Sequence, residues 1–325
     1  MKVISDKSQF FGLIKDFEHV PFVQTEGWCN YHASIKHDSI RYFVDDVQNA
    51  TIACFGHVKS FMGLKMLIVE GECLKQKTTT AKKIKLFFEG FFDLGYDIIE
   101  IDSYLPFQTE FEIGIRQAGF LRPVGMFSIH LSSNIDLTKP VDFNDNWKRN
   151  LKIASKSELS FEIINNPTKD DCEEFAKLYK ELLEDKEIDH KLSAAEIEVL
   201  LSSPNFGLAK VLDNQLRLIS AIIFHKSGTH AGLLYASKSH FAKLSGATFY
   251  MYKKLLESLS AKGFATFDME RLLPSTHSTN GVFLFKQGIK SNHIIYNGEW
   301  SWYKRSIYRP MMYFVKRFLM KKVEV

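Results

Sequence analysis

Apolar positions between Thr248 and Gly288 follow two periods in turn. Phe249, Tyr252, Leu256 and Leu259 recur every three or four residues, the spacing of a buried helical stripe. Gly263 stops that helix, Phe264–Glu270 reads as a short strand, and Leu273-Pro274 breaks it before Val282–Gly288. The same grammar occurs earlier. Ile84, Phe87, Phe88 and Phe91 stripe a helix, Gly95 stops it, Tyr96–Asp102 is the strand, and Leu105-Pro106 breaks it. Gly95 and Gly263, Asp102 and Glu270, Leu105 and Leu273, and Pro106 and Pro274 are each 168 residues apart. With one inserted residue, Gly119 falls on Gly288. A period of about half the chain is too long for a solenoid and predicts two copies of one domain.

The remaining segments fill in each copy. Ser8–Asp16 reads as a helix, and Pro21-Phe-Val-Gln24 leads through a turn to Trp28. Strands are expected at Tyr42–Val47, Thr51–Val58 and Lys65–Glu70, with Thr78, Thr79 and Thr80 capping the first striped helix. Glu110–Ala118 is a second helix and Pro123–Leu131 a final strand of the first copy. The order β-β-β-α-β-α-β is an α/β pattern on a mixed sheet. Lys139–Asn146 is the expected link, giving domains 1–143 and 144–303 and a basic terminal helix 304–325. In the second copy Trp147–Lys156 starts a basic helix and Ser160–Ile164 is a strand. Helices follow at Lys169–Leu183 and Ala194–Leu201, then strands at Gly207–Leu212, Leu216–His225 and His230–Ala236. Ser301–Lys322 is the terminal helix, kinked or started at Pro310.

Composition narrows this little. Of 325 residues, 45% are hydrophobic and 25% charged, which is ordinary for a globular protein of two domains. The net charge of +4 names no partner, but Tyr303–Lys322 holds seven Lys or Arg and no acid. Cys29, Cys54, Cys73 and Cys172 are widely spaced, with no C-x-x-C, so neither a zinc site nor a disulfide framework is expected. Met1–Phe11 mixes acid and base and shows no secretion signal. The longest apolar run, near Leu216–Phe224, is broken by Arg217 and too short to span a bilayer. A cytoplasmic monomer is the expectation.

Five segments in order carry a resemblance. They are Pro21-Phe-Val-Gln-Thr-Glu-Gly-Trp28, Trp147–Lys156, Tyr235-Ala-Ser237, Gly263–Asp268 and Phe285-Lys-Gln-Gly288. Together they resemble the Fem-type non-ribosomal peptidyltransferases, and the resemblance spans nearly the whole chain. It implies two tandem acetyltransferase-like (GNAT) domains with mixed sheets, in agreement with the repeat. It also implies transfer of an amino acid or other acyl group to an amine of a cell-envelope precursor, with aminoacyl-tRNA as donor and no tightly bound cofactor. No sustained heptad lies between the copies, so the chain is similar to members that lack the coiled-coil arm. His32 stands where the family often has a lysine, and Lys186 lies near the place of a frequent arginine. Both departures bear on how an anionic nucleotide-linked acceptor would be held.

The chemistry-bearing candidates follow from that resemblance and from residue type. Lys286, in the Phe-Lys pair, is the candidate stabiliser of an oxyanion or a donor phosphate; its counterpart in the first copy is Gln117. The alternative is a solvated lysine beside a turn. Asp102, at a strand end, is the candidate acceptor of the amine proton, or else a carboxylate capping the Leu105-Pro106 turn. Gln24, Trp28, His32, Lys186, Tyr235, Asp268 and Phe285 are candidates for holding substrate, with His32 a base near neutral pH or a structural histidine. Coenzyme A would need a glycine-rich loop at a helix start. Ser245-Gly246-Ala247 offers part of one, and Leu74–Thr79 in the first copy has no glycine. Two other readings stay open, an acyl-CoA-dependent N-acyltransferase acting on an amino sugar and a non-catalytic GNAT-like envelope protein. The basic tail Lys304–Lys322 suits an anionic membrane surface or tRNA, or packs as an ordinary amphipathic helix on the first domain.

Overall fold

A computed structural model describes residues 1–123, 131–164, 166–185, 192–272 and 281–319. The chain forms two compact units, Met1–His130 with Ile295–Val325, and Leu131–Ile294. The contiguous division 1–143, 144–303 and 304–325 does not coincide with them.

Unit 1 begins with β1 (Lys2–Ile4), α1 (Lys7–Ile14) and α2 (Glu26–Ser34). Strands β2 (Ser39–Val44), β3 (Ile52–Phe61), β4 (Leu64–Glu70) and β5 (Cys73–Leu74) follow. Then come α3 (Ala81–Glu89), β6 (Ile98–Pro106) and α4 (Thr109–Gln117). Ile84, Phe87, Phe88 and Phe91 bury their predicted stripe against Phe111 and Ile115 of α4 and the sheet. Each such side chain contributes about 2 kcal/mol of burial.

Unit 2 runs β7 (Leu131–Asp136), α5 (Asp145–Ala154), β8 (Ser160–Ile164), α6 (Lys169–Glu184) and α7 (Ala194–Leu201). Next are β9 (Phe206–Leu212), β10 (Leu218–Ser227), β11 (His230–Lys238), α8 (His240–Ser245) and α9 (Ala247–Ala261). It closes with β12 (Thr266–Arg271) and α10 (Gly281–Gln287). Side chains of Thr168 and Ser193 build capping boxes that start α6 and α7. The chain then returns through β13 (Asn292–Tyr303) and α11 (Tyr308–Phe314).

Each sheet contains one parallel pair, β4 with β6 and β11 with β12; every other pairing within the two units is antiparallel. Gly95 (φ 77°) and Gly263 (φ 83°) are both left-handed and precede β6 and β12. Ile98 and Thr266, again 168 apart, open those strands. The third glycine pair diverges: Gly119 is left-handed (φ 87°), whereas Gly288 is required by space.

Two expectations are corrected. Strand β7, Leu131–Asp136, follows the expected strand Pro123–Leu131 and pairs with β12 in unit 2. Residues 124–130 of the expected strand lie outside the described residues. Reciprocally, β13 follows unit 2 in sequence yet pairs with β6 in unit 1. A period of two marks a strand but not the sheet edge it joins. Lys139–Asn146 is therefore no boundary, since Phe143 bridges Ile289 inside unit 2. Ser301–Tyr303 likewise belong to β13, and the terminal helix begins only at Tyr308, with Pro310 in its first turn.

Gly288 is the tightest position in unit 2. A Cβ there would overlap Trp147, which is fully buried and donates its indole N–H to the Phe285 carbonyl at 2.9 Å. Trp147 has no room to yield, so Gly288→Ala is expected to cost about 1–3 kcal/mol, the range for overpacking. Gly12→Ala in α1, where nothing lies within 4 Å, is the control. A urea midpoint for Gly288→Ala equal to that of the control removes this packing constraint.

Candidate functional site

In unit 1 the parallel register sets Glu70 of β4 beside Asp102 of β6, and the antiparallel register sets Glu299 of β13 on the other side of Asp102. In-register neighbours share a face of the sheet, so three half-buried carboxylates form a row across three strands. Gly71 (φ 75°) turns the chain out of β4 immediately after Glu70 and donates its N–H to the Asp102 carbonyl at 2.7 Å. A Cβ at Gly71 would come within 2.8 Å of Pro21, so the turn needs glycine for space as well as for φ.

The Pro21–Trp28 segment supports this row. Gln24 is fully buried; its amide donates to the Phe55 and Glu70 carbonyls at 2.9 and 2.7 Å and accepts from Phe55 N–H at 2.7 Å. It stitches β3 to the end of β4, so its position is structural. Thr25 caps α2, and Trp28 on that helix donates its indole N–H to Glu70 Oε2 at 2.8 Å. One turn on, His32 places Nε2 3.3 Å from the same Glu70 oxygen and Nδ1 2.8 Å from Asp38 Oδ2. Burial disfavours charge on His32, yet its bonds to Glu70 and Asp38 outweigh that and raise its pKa. Burial also opposes ionisation of Glu70, but His32 and Trp28 outweigh it and hold the carboxyl below its usual range. His57 of β3 stacks on His32, ring centroids 4.5 Å apart and 17° from parallel, and burial depresses its pKa to about 4.

Beside the row lies Glu72, fully buried, accepting from Ser103 Oγ at 2.6 Å while its Oε2 has no hydrogen-bond partner. Burial raises its pKa to about 8; the Ser103 bond opposes the shift and the Asp102 charge adds to it. Glu72 is thus a neutral acid at pH 7.

Unit 2 repeats the strand pair with different chemistry. β11 and β12 stay paired only from His230–Gly232 with Thr266–Asp268, then separate. Asp268 accepts from Ser132 Oγ and from Glu270 N–H, the latter at 2.7 Å. Glu270 itself is left-handed (φ 61°), a costly conformation for a residue with a Cβ. His225 lies 3.1 Å from Glu270 Oε1, and burial lowers its pKa to about 4 against the Asp268 charge. Lys286 is buried and donates to the Glu270 and Arg271 carbonyls at 3.1 and 2.7 Å. Burial lowers its pKa, while Glu270 and Asp268 favour the charged form. Lys286 is therefore no solvated turn lysine: it ties down the strained end of β12.

The other predicted residues separate. Phe285 packs among Trp147, Phe249 and Tyr252 and is part of the core. Tyr235 is half-buried with its ring 5.6 Å from Tyr179. Lys186 lies outside the described residues. Sequence reasoning passed over Glu70, Asp38, His57 and Glu72. Glu70 alone left a signal, as an acid ending one strand opposite an acid ending the next.

The two helix starts differ in what already meets them: α9 has no side-chain cap, whereas α3 does. At α9, Ser245 is buried and donates to the Phe241 carbonyl at 3.0 Å, and a Cβ on Gly246 would press on the Asn150 carbonyl of α5. At α3, the Ala81 N–H already donates to the Glu110 carboxylate at 2.8 Å, so an anion occupies that end. The basic tail packs on unit 1: Met312 joins Met66 and Ile98, and Lys316 pairs with Glu100 at 3.0 Å. Lys321 and Lys322 lie outside the described residues. No helix among the described residues is long and apolar enough to cross a membrane.

No family model matches the chain, and no curated protein sequence does. Solved structures do. FemX superposes with a TM-score of 0.77 at 12% identity, covering 96% of this chain and 100% of its own. L-PGS from Bacillus licheniformis gives 0.64 at 13% identity over 96% of both chains. A tandem GNAT protein from the clavulanic acid biosynthesis pathway gives 0.52 at 7% identity over 91% of this chain and 94% of its own. The chain has the tandem GNAT fold of FemX. The expected fold class, mixed α/β with two GNAT-like halves, is the observed one.

Glu72 yields a pH test of this site. Between about pH 4.5 and 8 the unfolded chain ionises Glu72 while the folded chain keeps the proton, so stability falls as pH rises. Glu72→Gln removes that slope. Its stability relative to the native chain is expected to rise by about 1.4 kcal/mol per pH unit across this window, read by urea unfolding at pH 5, 6, 7 and 8. A difference that stays constant over the series contradicts a protonated Glu72.

Proposed function

We propose that this protein is an aminoacyl or N-acyl transferase acting on an amine of a cell-envelope precursor. The carboxylate row Glu70, Asp102 and Glu299 carries the reading, because it suits a protonated amine. The tandem GNAT fold shared with FemX and L-PGS supports it. An ammonium docks on the row, where Glu70 is held ionised and oriented by Trp28 and His32. Attack requires the free amine, so one proton passes to Asp102 of the row. The amine nitrogen then bonds to the acyl carbon, the ester C–O bond of the donor breaks, and a proton ends on the departing hydroxyl. In unit 2, Lys286, which donates to the Glu270 and Arg271 carbonyls, is the candidate for meeting negative charge on a donor.

Aminoacyl-tRNA is the proposed donor, since the α3 helix start is already met by the Glu110 carboxylate and Ser245-Gly246-Ala247 offers only part of a glycine-rich loop at α9. Its phosphates would meet exposed Arg149 and Lys152 on α5 and Lys156 just after it, whereas Lys290 is already paired with Asp142 at 2.6 Å. Glu70→Gln is expected to lower kcat at least a hundredfold in a folded protein. Native turnover in that variant removes the carboxylate row from the mechanism. Donor identity is read separately, by native mass spectrometry with charged tRNA and with acetyl-coenzyme A. Binding of tRNA should weaken steeply with salt as condensed counterions are released; retention and consumption of acetyl-coenzyme A instead rejects the tRNA donor.

Lys286→Met is expected to cost stability as well as turnover. Two backbone carbonyls lose a charged donor, a loss of about 1.5–3 kcal/mol each. A thermally unchanged variant contradicts the clamp at the end of β12.

A further inference from the structure

Cysteine spacing left no zinc site to expect, but the fold gathers possible ligands of other types. We propose that His32, His57 and Asp38 form a binding site for a divalent transition-metal ion, with Zn²⁺ the best match. Their ligating atoms all lie within 4.8 Å of one another. The three residues come from the α2 helix, the loop after it and β3, so only the packing of α2 against the sheet brings them together. A tetrahedral zinc bound at about 2.0–2.2 Å needs neighbouring ligand atoms about 3.3 Å apart. His32 Nδ1 and Asp38 Oδ2 stand at 2.8 Å, so replacing the shared proton by a cation requires only a small opening.

Two further observations bear on a ligand. His57 is 3% exposed and its ring stacks on His32, centroids 4.5 Å apart and 17° from parallel, so both residues lie at one place and joint ligation needs one ring to turn out of the stack. The second observation is the outer arrangement. With His32 Nδ1 turned to the metal, its Nε2–H faces Glu70 at 3.3 Å, and Trp28 holds that carboxylate at 2.8 Å. A carboxylate on the far nitrogen of a ligating histidine fixes its tautomer and raises its basicity. Lys59, 3.9 Å from Asp38, is the only competing cation paired with these groups among the described residues, and it is half-exposed and able to swing away. Two imidazoles and one carboxylate leave a fourth position open, as in zinc sites that accept water or a substrate atom. The inference stands apart from acyl transfer, and its test needs no turnover.

Tag-free protein, stripped with EDTA and dialysed, is titrated with Zn²⁺ by calorimetry and with Co²⁺ by visible absorption. One equivalent of zinc and an intense tetrahedral Co²⁺ band are expected. His57→Phe keeps the stacked ring but removes the ligand, and Asp38→Asn removes the anionic oxygen. Each is expected to weaken binding at least a hundredfold with unchanged circular dichroism. Glu70→Gln, which alters only the outer carboxylate, is expected to weaken it 10–100-fold. Absence of zinc uptake by the native chain overturns the proposal, as does native affinity in both ligand variants.

Discussion

Placing ionised carboxylates on a half-buried sheet face is unfavourable unless donors surround them, and the first unit is arranged around meeting that condition at Glu70. Gln24 holds the strand end in place through three backbone hydrogen bonds, and Gly71 lets the chain leave before the next side chain would collide with Pro21. Trp28 and His32 then reach the carboxylate from one face of α2, four residues apart. Without that stitch the parallel register that sets Glu70 beside Asp102 would have no fixed end.

The second unit keeps the backbone plan and changes the charges. Its parallel pair opens earlier, at Asp268, and the strained Glu270 is fixed by Asp268 below and Lys286 above. Where unit 1 sets a row of carboxylates across three strands, unit 2 buries a lysine beside Asp268 and Glu270. At α3 the helix start is already met by the Glu110 carboxylate.

How much of this was readable in the chain depends on the range of the interaction. The 168-residue repeat, the α3 and α9 stripes and the left-handed glycines at 95 and 263 are local or periodic, and they survive in the structure. Trp28, His32 and Asp102 were legible as candidates through short motifs and strand ends. Asp38 and His57 carried no such mark, because neither lies in a quoted motif or at the end of an expected strand. Gln24 was marked as a candidate for holding substrate, and its side chain bonds backbone; a polar residue in a motif looks the same in sequence for either role.

By itself, then, the sequence determined the helices, most strands, the duplication and the fold class, because periodicity and backbone sterics act over a few residues. Tertiary structure alone decided which sheet receives each final strand, β7 in unit 2 and β13 in unit 1, since strand pattern carries no address. It also decided the protonation of Glu72, His57 and His225, which depends on burial and on partners far away in the chain. The fate of Lys286 was decided the same way: the chain shows a cation beside a turn, and only packing shows that cation buried against two carbonyls.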